Sequence, residues 1–273
     1  MPHGLLRREV GKGIVAGING GANMPSETST IFRTALITGA SRGLGLALAR
    51  ALARREWNLV INGRDAERLR AARDELARLT HVAAIAGDVA DPIHREELAV
   101  LARGHAGLDA VINNASELGP SPLPSVLGVD PAALARLFDV NTIAPIALLQ
   151  RLAGALKPGA HIVNVSSDAA VHAYPGWGAY GASKAALEQL SLVLAAERPD
   201  LRVYCIDPGD MRTAMHQAAF PGEDIGDRPL PEERVPALVQ LLEESLPSGR
   251  YEGSALLAPR DDTRRPGLVE MAS

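Results

Sequence analysis

Tyr180 and Lys184 stand four residues apart in "YGASK", so a helix through them places both side chains on one face. A free tyrosine titrates near pH 10 and is a poor base at neutral pH, but an ammonium within about 5 Å stabilises the phenolate and lowers that value. Such a pair can both donate and accept a proton. Ser167, thirteen residues before the tyrosine at the end of "HIVNVSS", offers a hydroxyl that can hold a substrate oxygen against the phenol. None of these groups carries a hydride, so an oxidation or reduction built on them needs a hydride-carrying cofactor.

A second stretch supplies a place for one. In "TALITGASRGLG" the glycines at 39, 43 and 45 lie directly behind a short apolar run. A turn from strand to helix presents the amides and partial positive charge of the helix N-terminus to an anion, and any Cβ there is expected to hold the backbone off a pyrophosphate. The spacing is Gly-x-x-x-Gly-x-Gly, not the common Gly-x-Gly-x-x-Gly. Gly11, Gly13 and Ala16 do match a Gly-x-Gly-x-x-Ala form, but no strand precedes them, and Gly17, Gly20 and Gly21 would break the helix they should open.

The elements that must position these groups are legible from Thr34 onward. Short β-branched runs alternate with longer stretches at helical spacing, the mark of βαβ units on a parallel sheet. Strands are predicted at 34–38, 58–62, 81–86, 108–113, 161–166, 202–206 and, in "GSALLA", 253–258; their near-continuous apolarity implies that both faces are covered. Helices are predicted at 43–55, 65–79, 92–103, 131–156, 178–196 and 232–246, with Asp91-Pro92 and Asp130-Pro131 as N-cap and first helical residue. Pro145 falls inside the fourth helix, four residues after Asn141, whose carbonyl it deprives of an amide partner. The expected architecture is a single α/β domain of the doubly wound Rossmann type, a seven-stranded parallel sheet with helices on both faces. It should occupy residues 31–260, between a disordered extension at 1–30, rich in glycine and small polar residues, and a tail at 261–273.

Composition narrows the partners. The chain has 273 residues, 47% of them hydrophobic and 22% charged, enough for one large core. A net charge of −4 provides no basic field for nucleic acid or anionic lipid. No apolar run is seen to approach the roughly 20 residues that span a bilayer, and no secretory signal is visible, so a soluble cytoplasmic protein is expected. Cys205, the one cysteine, reads as a small buried hydrophobe in "VYCI". No histidine shows metal-ligand spacing with a carboxylate partner, so no metal is expected.

Taken together, these motifs resemble the short-chain dehydrogenase/reductase family over roughly residues 34 to 258. "TGASRGLG" is similar to its Thr-Gly-x-x-x-Gly-x-Gly nucleotide turn. "NNAS" at 113–116 resembles its Asn-Asn-Ala-Gly segment, with Ser116 in place of glycine, and Ser167, Tyr180 and Lys184 match its serine and Tyr-x-x-x-Lys. Asn141 fills its asparagine position, and "DPG" at 207–209 followed by Thr213 resembles its Pro-Gly segment, with Asp207 where asparagine is more usual. The resemblance implies that Asn141, Ser167, Tyr180 and Lys184 are catalytic, that Lys184 also binds the nicotinamide ribose, and that Asn141 supports a proton relay. It implies a cofactor site formed by Gly39, Ser41, Arg42, Gly43, Leu44, Gly45, Arg64, Asp88, Val89, Asn114, Ala115, Tyr180, Lys184, Pro208, Gly209 and Thr213.

The choice of nucleotide follows from charge. An enzyme for NAD(H) places an acid at the tip of the second strand to hold the ribose 2′-hydroxyl, whereas here the tip is Gly63, Arg64 follows, and Arg42 sits inside the glycine turn. Two guanidiniums suit a 2′-phosphate, so NADP(H) is the expected cofactor, with NAD(H) the alternative. Asp65 is an acid that could serve NAD(H), and it also fits the cap of the next helix. Asp168, His172, Tyr174 and Trp177 lie between serine and tyrosine and are open to pocket-lining or turn and packing roles.

The activity expected is interconversion of a small-molecule carbonyl and its secondary alcohol. A 3-oxoacyl thioester reductase stays open within that class, as does a nucleotide-binding regulator without turnover outside it. Small residues in "GASKAALEQLSLVLAAE" allow a second helix to approach, and the family commonly pairs subunits there, so a homodimer or homotetramer is expected.

Overall fold

The structure is a computed structural model that describes residues 32–258. The expectations for residues 1–30 and for the tail at 261–273 lie outside the described residues.

Seven strands form one parallel sheet: β1 (Thr34–Ile37), β2 (Asn58–Gly63), β3 (Val82–Ala86), β4 (Leu108–Asn113), β5 (Leu156–Val165), β6 (Arg202–Asp207) and β7 (Gly249–Glu252), in the order β3-β2-β1-β4-β5-β6-β7. Successive side chains feed opposite faces. Ile37, Ile61, Ile112, Val163 and Ile206 pack on one side under α1 (Gly43–Ala53), α2 (Ala66–Leu76) and α8 (Pro231–Glu243). Leu36, Val60, Val111, Ile162 and Val203 pack on the other under α3 (Pro92–Arg103), α5 (Ala144–Leu152) and α6 (Gly178–Glu197). Both faces are therefore dry, which explains why the strands read as continuous apolar runs. The helix caps follow the sequence: Asp65, Asp91 and Asp130 each accept from a backbone amide of the first turn they open.

Strand order reverses between β1 and β4, and a crevice opens outside their carboxyl ends. Ile37 pairs with Ile61 and with Ile112, so the loops after β1, β2 and β4 emerge side by side. This register is what brings the glycine turn, Arg64 and the "NNAS" segment together.

Three expectations are corrected. "GSALLA" is not the last strand: β7 is "GRYE", and Gly253–Leu256 is a short helix, α9. Arg250 lies buried in β7, 2% exposed, because Glu188 and Asp207 receive its charge inside the fold. The long helix predicted at 131–156 is three pieces: α4 (Pro131–Phe138), a wide π turn over Asp139–Ile143, and α5, after which β5 begins at Leu156. Pro145 has no amide to continue the α ladder, and the amide of Ala144 reaches back to the carbonyl of Asp139 instead. Finally, the run Pro131–Leu152, with 22 residues and an 18-residue window of mean hydropathy 1.5, is long and apolar enough to cross a membrane by length and composition. It passes that test because Leu137, Val140, Ala144, Leu148 and Leu149 line up to pack into the protein, and 44% of the apolar window is buried inside it.

Candidate active site

One continuous cavity of about 720 Å³ runs along the carboxyl edge of the sheet. It is lined by Gly39, Ser41, Arg42, Gly43, Leu44, Arg64, Asp88, Val89, Asn114 and Ala115 at one end, and by Ser167, Tyr180, Lys184, Pro208, Gly209 and Thr213 at the other. Of the catalytic and cofactor-binding residues expected from sequence, Gly45 and Asn141 stand back from this lining.

The glycines of the turn have different reasons to be glycine. Gly39 and Gly43 adopt φ of +67° and +56°, where a side chain is strained. A Cβ on Gly45 would lie 2.5 Å from the Asn114 side chain and from the carbonyl oxygen of Gly39, so this glycine serves contact between α1 and its own turn, not approach to a phosphate. Asn114 clamps that turn: Nδ2 donates to the carbonyls of Thr38 and Gly39 at 2.9 and 3.1 Å. The N-terminus of α1 then faces the cavity with no side-chain cap and no acid in its first turn. Its free amides and dipole make an anion site that suits a dinucleotide pyrophosphate.

Around the nucleoside end the charges are paired. Asp88 accepts from the Ala90 amide at 2.9 Å and from Arg136 at 2.5 Å; those bonds outweigh its burial and hold its carboxyl below the usual range. Arg136 also grips Glu117, at 3.0 and 2.8 Å, and Arg64 bonds the same carboxylate. Glu117 and Arg136 were not legible as site residues in the sequence, because only the fold brings α4 beneath the "NNAS" loop. Asp65 is occupied with the α2 cap and with Arg68, 3.2 Å away, as its cap role requires.

At the reacting end, β5 delivers Ser167 and the first turns of α6 deliver Tyr180 and Lys184. Tyr180 is 8% exposed and Lys184 2%. Burial pushes the phenol up to about 12, against weaker opposing hydrogen bonds from Ser116 and Ser167. Burial likewise brings the ammonium down to about 8. The expectation of a lysine-lowered phenol is thus corrected for the cofactor-free protein: Nζ lies 5.7 Å from the centre of the Tyr180 ring and donates to the carbonyl of Val165 at 2.8 Å, so desolvation wins over a cation spent elsewhere.

Asn141, wholly buried on the π turn, uses its side chain to build the site. Nδ2 donates to the Glu117 carbonyl at 2.8 Å and to Ser183 at 3.0 Å; Oδ1 accepts from the Glu117 amide at 2.8 Å and from the Ser116 hydroxyl at 3.1 Å. Ser116, seen in the sequence only as a departure from glycine, therefore gives its proton to Asn141 while lying close enough to Tyr180 to act on the phenol.

Beyond the serine, Leu118, Asp168, Trp177, Met215, His216 and Ala219 complete the cavity. Asp168 accepts from the Ser167 hydroxyl and from the Tyr174 hydroxyl, each at 3.0 Å, and Trp177 sets its ring edge-on to Tyr180 at 5.7 Å. Tyr174 thus acts through Asp168. His172 contacts Tyr174 and is absent from the lining. Met215, His216 and Ala219 come from a short helix, α7 (Ala214–Ala219), capped by Thr213. Cys205 is 2% exposed, and its thiol is pushed up to about 12 by burial, as a packing cysteine should be.

Comparison with known proteins matches this architecture. A family model described as short chain dehydrogenase matches residues 33–224. A serine 3-dehydrogenase of Agrobacterium fabrum is 37% identical over 185 residues, 66% of this chain and 72% of that protein. A benzil reductase ((S)-benzoin forming) of Saccharomyces cerevisiae is 32% identical over 236 residues, 82% of this chain and 85% of the relative. Among solved structures, a short chain dehydrogenase of Shigella flexneri complexed with NADP superposes with a TM-score of 0.76 at 30% identity, covering 81% of this chain and 97% of that one. An oxidoreductase of Escherichia coli does so with 0.76 at 31% identity, covering 81% and 94%.

Proposed function

This chain belongs to the short chain dehydrogenase family, and from that premise we propose that it interconverts a carbonyl compound and its secondary alcohol with NADP(H). The observation that carries the reading is the convergence of Ser167, Tyr180 and Lys184 at one end of a cavity whose other end opens on the bare N-terminus of α1.

When bound, the nicotinamide supplies the hydride to the carbonyl carbon or takes it from the alcohol. The chain's own residues manage the oxygen. Ser167 turns its hydroxyl from Asp168 to hydrogen-bond it, and Tyr180 gives it a proton in reduction and takes one in oxidation. Lys184 turns from Val165 to the nicotinamide ribose and places positive charge near the phenol. Asn141 has no side-chain capacity to spare, so its contribution to a relay runs through its backbone carbonyl, left without an amide partner at Pro145. Arg42 and Arg64, with no acid at Gly63, favour a 2′-phosphate over a bare ribose, and the NADP carried by the Shigella relative agrees.

The test is a panel of ketones and secondary alcohols followed by NADPH absorbance. Turnover supports the oxidoreductase; NADPH binding with no turnover across the panel would make the chain a nucleotide-sensing regulator. We further infer a cytoplasmic homodimer or homotetramer: Ile143, Leu190 and Val193 are 50%, 42% and 43% exposed on the helices that carry Asn141 and Lys184. Light scattering at micromolar concentration checks it, and a monomer would refute it.

A further inference from the structure

The relatives above act on compounds as unlike as an amino acid and an aryl diketone, and the cavity itself distinguishes the two chemistries. Resting on the reading that Tyr180 marks the reacting end, we propose that the substrate is an uncharged carbonyl compound with an aromatic group beside the C=O. Its ring is seated among Leu118, Trp177, Met215 and Ala219, and Asp168 turns away substrates bearing a carboxylate next to the reacting carbon.

The apolar half of the argument is the wall itself. Leu118, Ala169 and Tyr180 form a small buried cluster against which Leu123, Trp177, Met215, Ala218 and Ala219 pack. The indole is braced from two sides, by Tyr180 at 5.7 Å and by Phe220 at 6.0 Å, and Phe220 is itself backed by His216 at 4.9 Å. A ring held this way is a fixed surface for another ring, and the methionine opposite adapts to its outline. Among the described residues of this wall, the groups that could hydrogen-bond a second polar group are the Trp177 indole N–H and the buried, unpartnered Nε2 of His216; the rest is apolar.

The charged half concerns what faces the reacting carbon. From the loop after β5 comes Asp168, adjoining Ser167. From the end of β6 comes Asp207, whose carboxyl is raised by burial and lies 3.8 Å from Arg250, and from the loop after it Asp210, paired with Arg228 at 3.4 Å and with the His216 imidazole at 3.7 Å. Of the cations nearby, Arg234 lies against Gly209 and Arg228 is paired with Asp210, and the others are engaged elsewhere. Lys184 donates to Val165, and Arg250 lies behind the serine strand on Glu188, near Asp207. The exposed Arg212 is turned towards the carbonyl of Gly226. A carboxylate on the substrate beside Ser167 would meet the carboxylate of Asp168, which is held by two hydroxyls and, among the described residues, by no ion pair. At about 5 Å from Asp168 and an effective dielectric near 20, that repulsion corresponds to roughly 10²-fold in kcat/KM.

Four ketones separate the elements of this proposal: propiophenone, butanone, benzoylformate and its methyl ester, each reduced with NADPH by the full chain. Propiophenone should exceed butanone by at least about tenfold, and the ester should exceed the acid by roughly 10²-fold. Trp177→Ala should cut the aryl-to-alkyl ratio by about tenfold, and Asp168→Asn should bring the ester-to-acid ratio below about tenfold. Both readouts are ratios within one protein, so a partly folded variant or a displaced Ser167 cancels from them. Comparable rates on all four ketones, or benzoylformate reduced as fast as its ester, would overturn this inference while leaving the oxidoreductase reading intact. NADPH binding with none of the four reduced would overturn both.

Discussion

Lys184 donates its ammonium to the backbone carbonyl of Val165 at 2.8 Å, at the carboxyl end of β5, inside a site where its side chain is almost wholly shielded from water. One hydrogen bond does not replace a hydration shell, and the pKa falls to about 8 from 10.5.

That value makes a stability prediction. Below pH 8 the lysine is charged in both folded and unfolded chains, and the burial penalty is fully present. Between about 8 and 10.5 the folded state has released its proton while the unfolded state keeps it, so stability rises with pH through this window. Lys184→Met should therefore be more stable than the wild type at pH 7, by up to about 3 kcal/mol. The gap should narrow by pH 10, before the raised tyrosines begin to ionise. Urea unfolding of both proteins from pH 7 to 10 reads the difference, and a gap independent of pH would contradict it.

Tyr180→Phe removes the hydroxyl that meets the substrate and little of what meets the nucleotide. Turnover should fall by about 10³-fold or more, with NADPH affinity within about threefold of wild type. Fluorescence titration alongside steady-state rates checks both halves, and a fully active phenylalanine variant would remove the mechanism.

How much of this was legible beforehand depends on the range of the physics involved. Tyr180 and Lys184 could be read because an i,i+4 pair shares a helix face whatever surrounds it, and the Asp91 and Asp130 caps are equally local. β7 could not, because "GRYE" looks like a solvent-facing turn until Glu188 and Asp207, far away in sequence, neutralise Arg250. The substrate wall was half visible. Trp177 stood out between serine and tyrosine, but Leu118 and Met215 are ordinary apolar residues, one on a loop and one on α7, that only the fold brings together. Gly45 was read as making room for a ligand when it makes room for Asn114.

Arg42 and Arg64 should not contribute equally. Arg64 is bonded to Glu117 in the cofactor-free protein and must leave that carboxylate to reach a phosphate, whereas Arg42, at the start of α1, is bound by no such exchange. Glu117 keeps Arg136 after the exchange, which limits its cost. The double substitution to alanine should weaken NADPH by roughly 10²-fold, from two charge-assisted contacts of about 1.5–3 kcal/mol each less that exchange, with Arg42→Ala giving the greater share. NADH should be nearly unaffected. Equal losses for the two nucleotides would show that neither arginine reads the phosphate.

Pro145 offers the sharpest separation between stability and catalysis. The helix through Asn141 is opened into a π turn, and the residue four positions later has no amide, so the Asn141 carbonyl lacks its α-helical partner. With its side chain already committed to Glu117, Ser116 and Ser183, that carbonyl is the group Asn141 can still offer to a water joining Lys184 to solvent. Pro145→Ala supplies the missing amide and favours regular α winding; proline inside a helix costs about 3 kcal/mol relative to alanine, less here because Pro145 sits in the first turn of α5. The variant should hold or raise the melting temperature and lower kcat, with little change in NADPH affinity. Tm by calorimetry, kcat and the nucleotide Kd distinguish the cases. A folded variant with unchanged kcat would reduce Pro145 to a packing kink and would leave the relay without its acceptor.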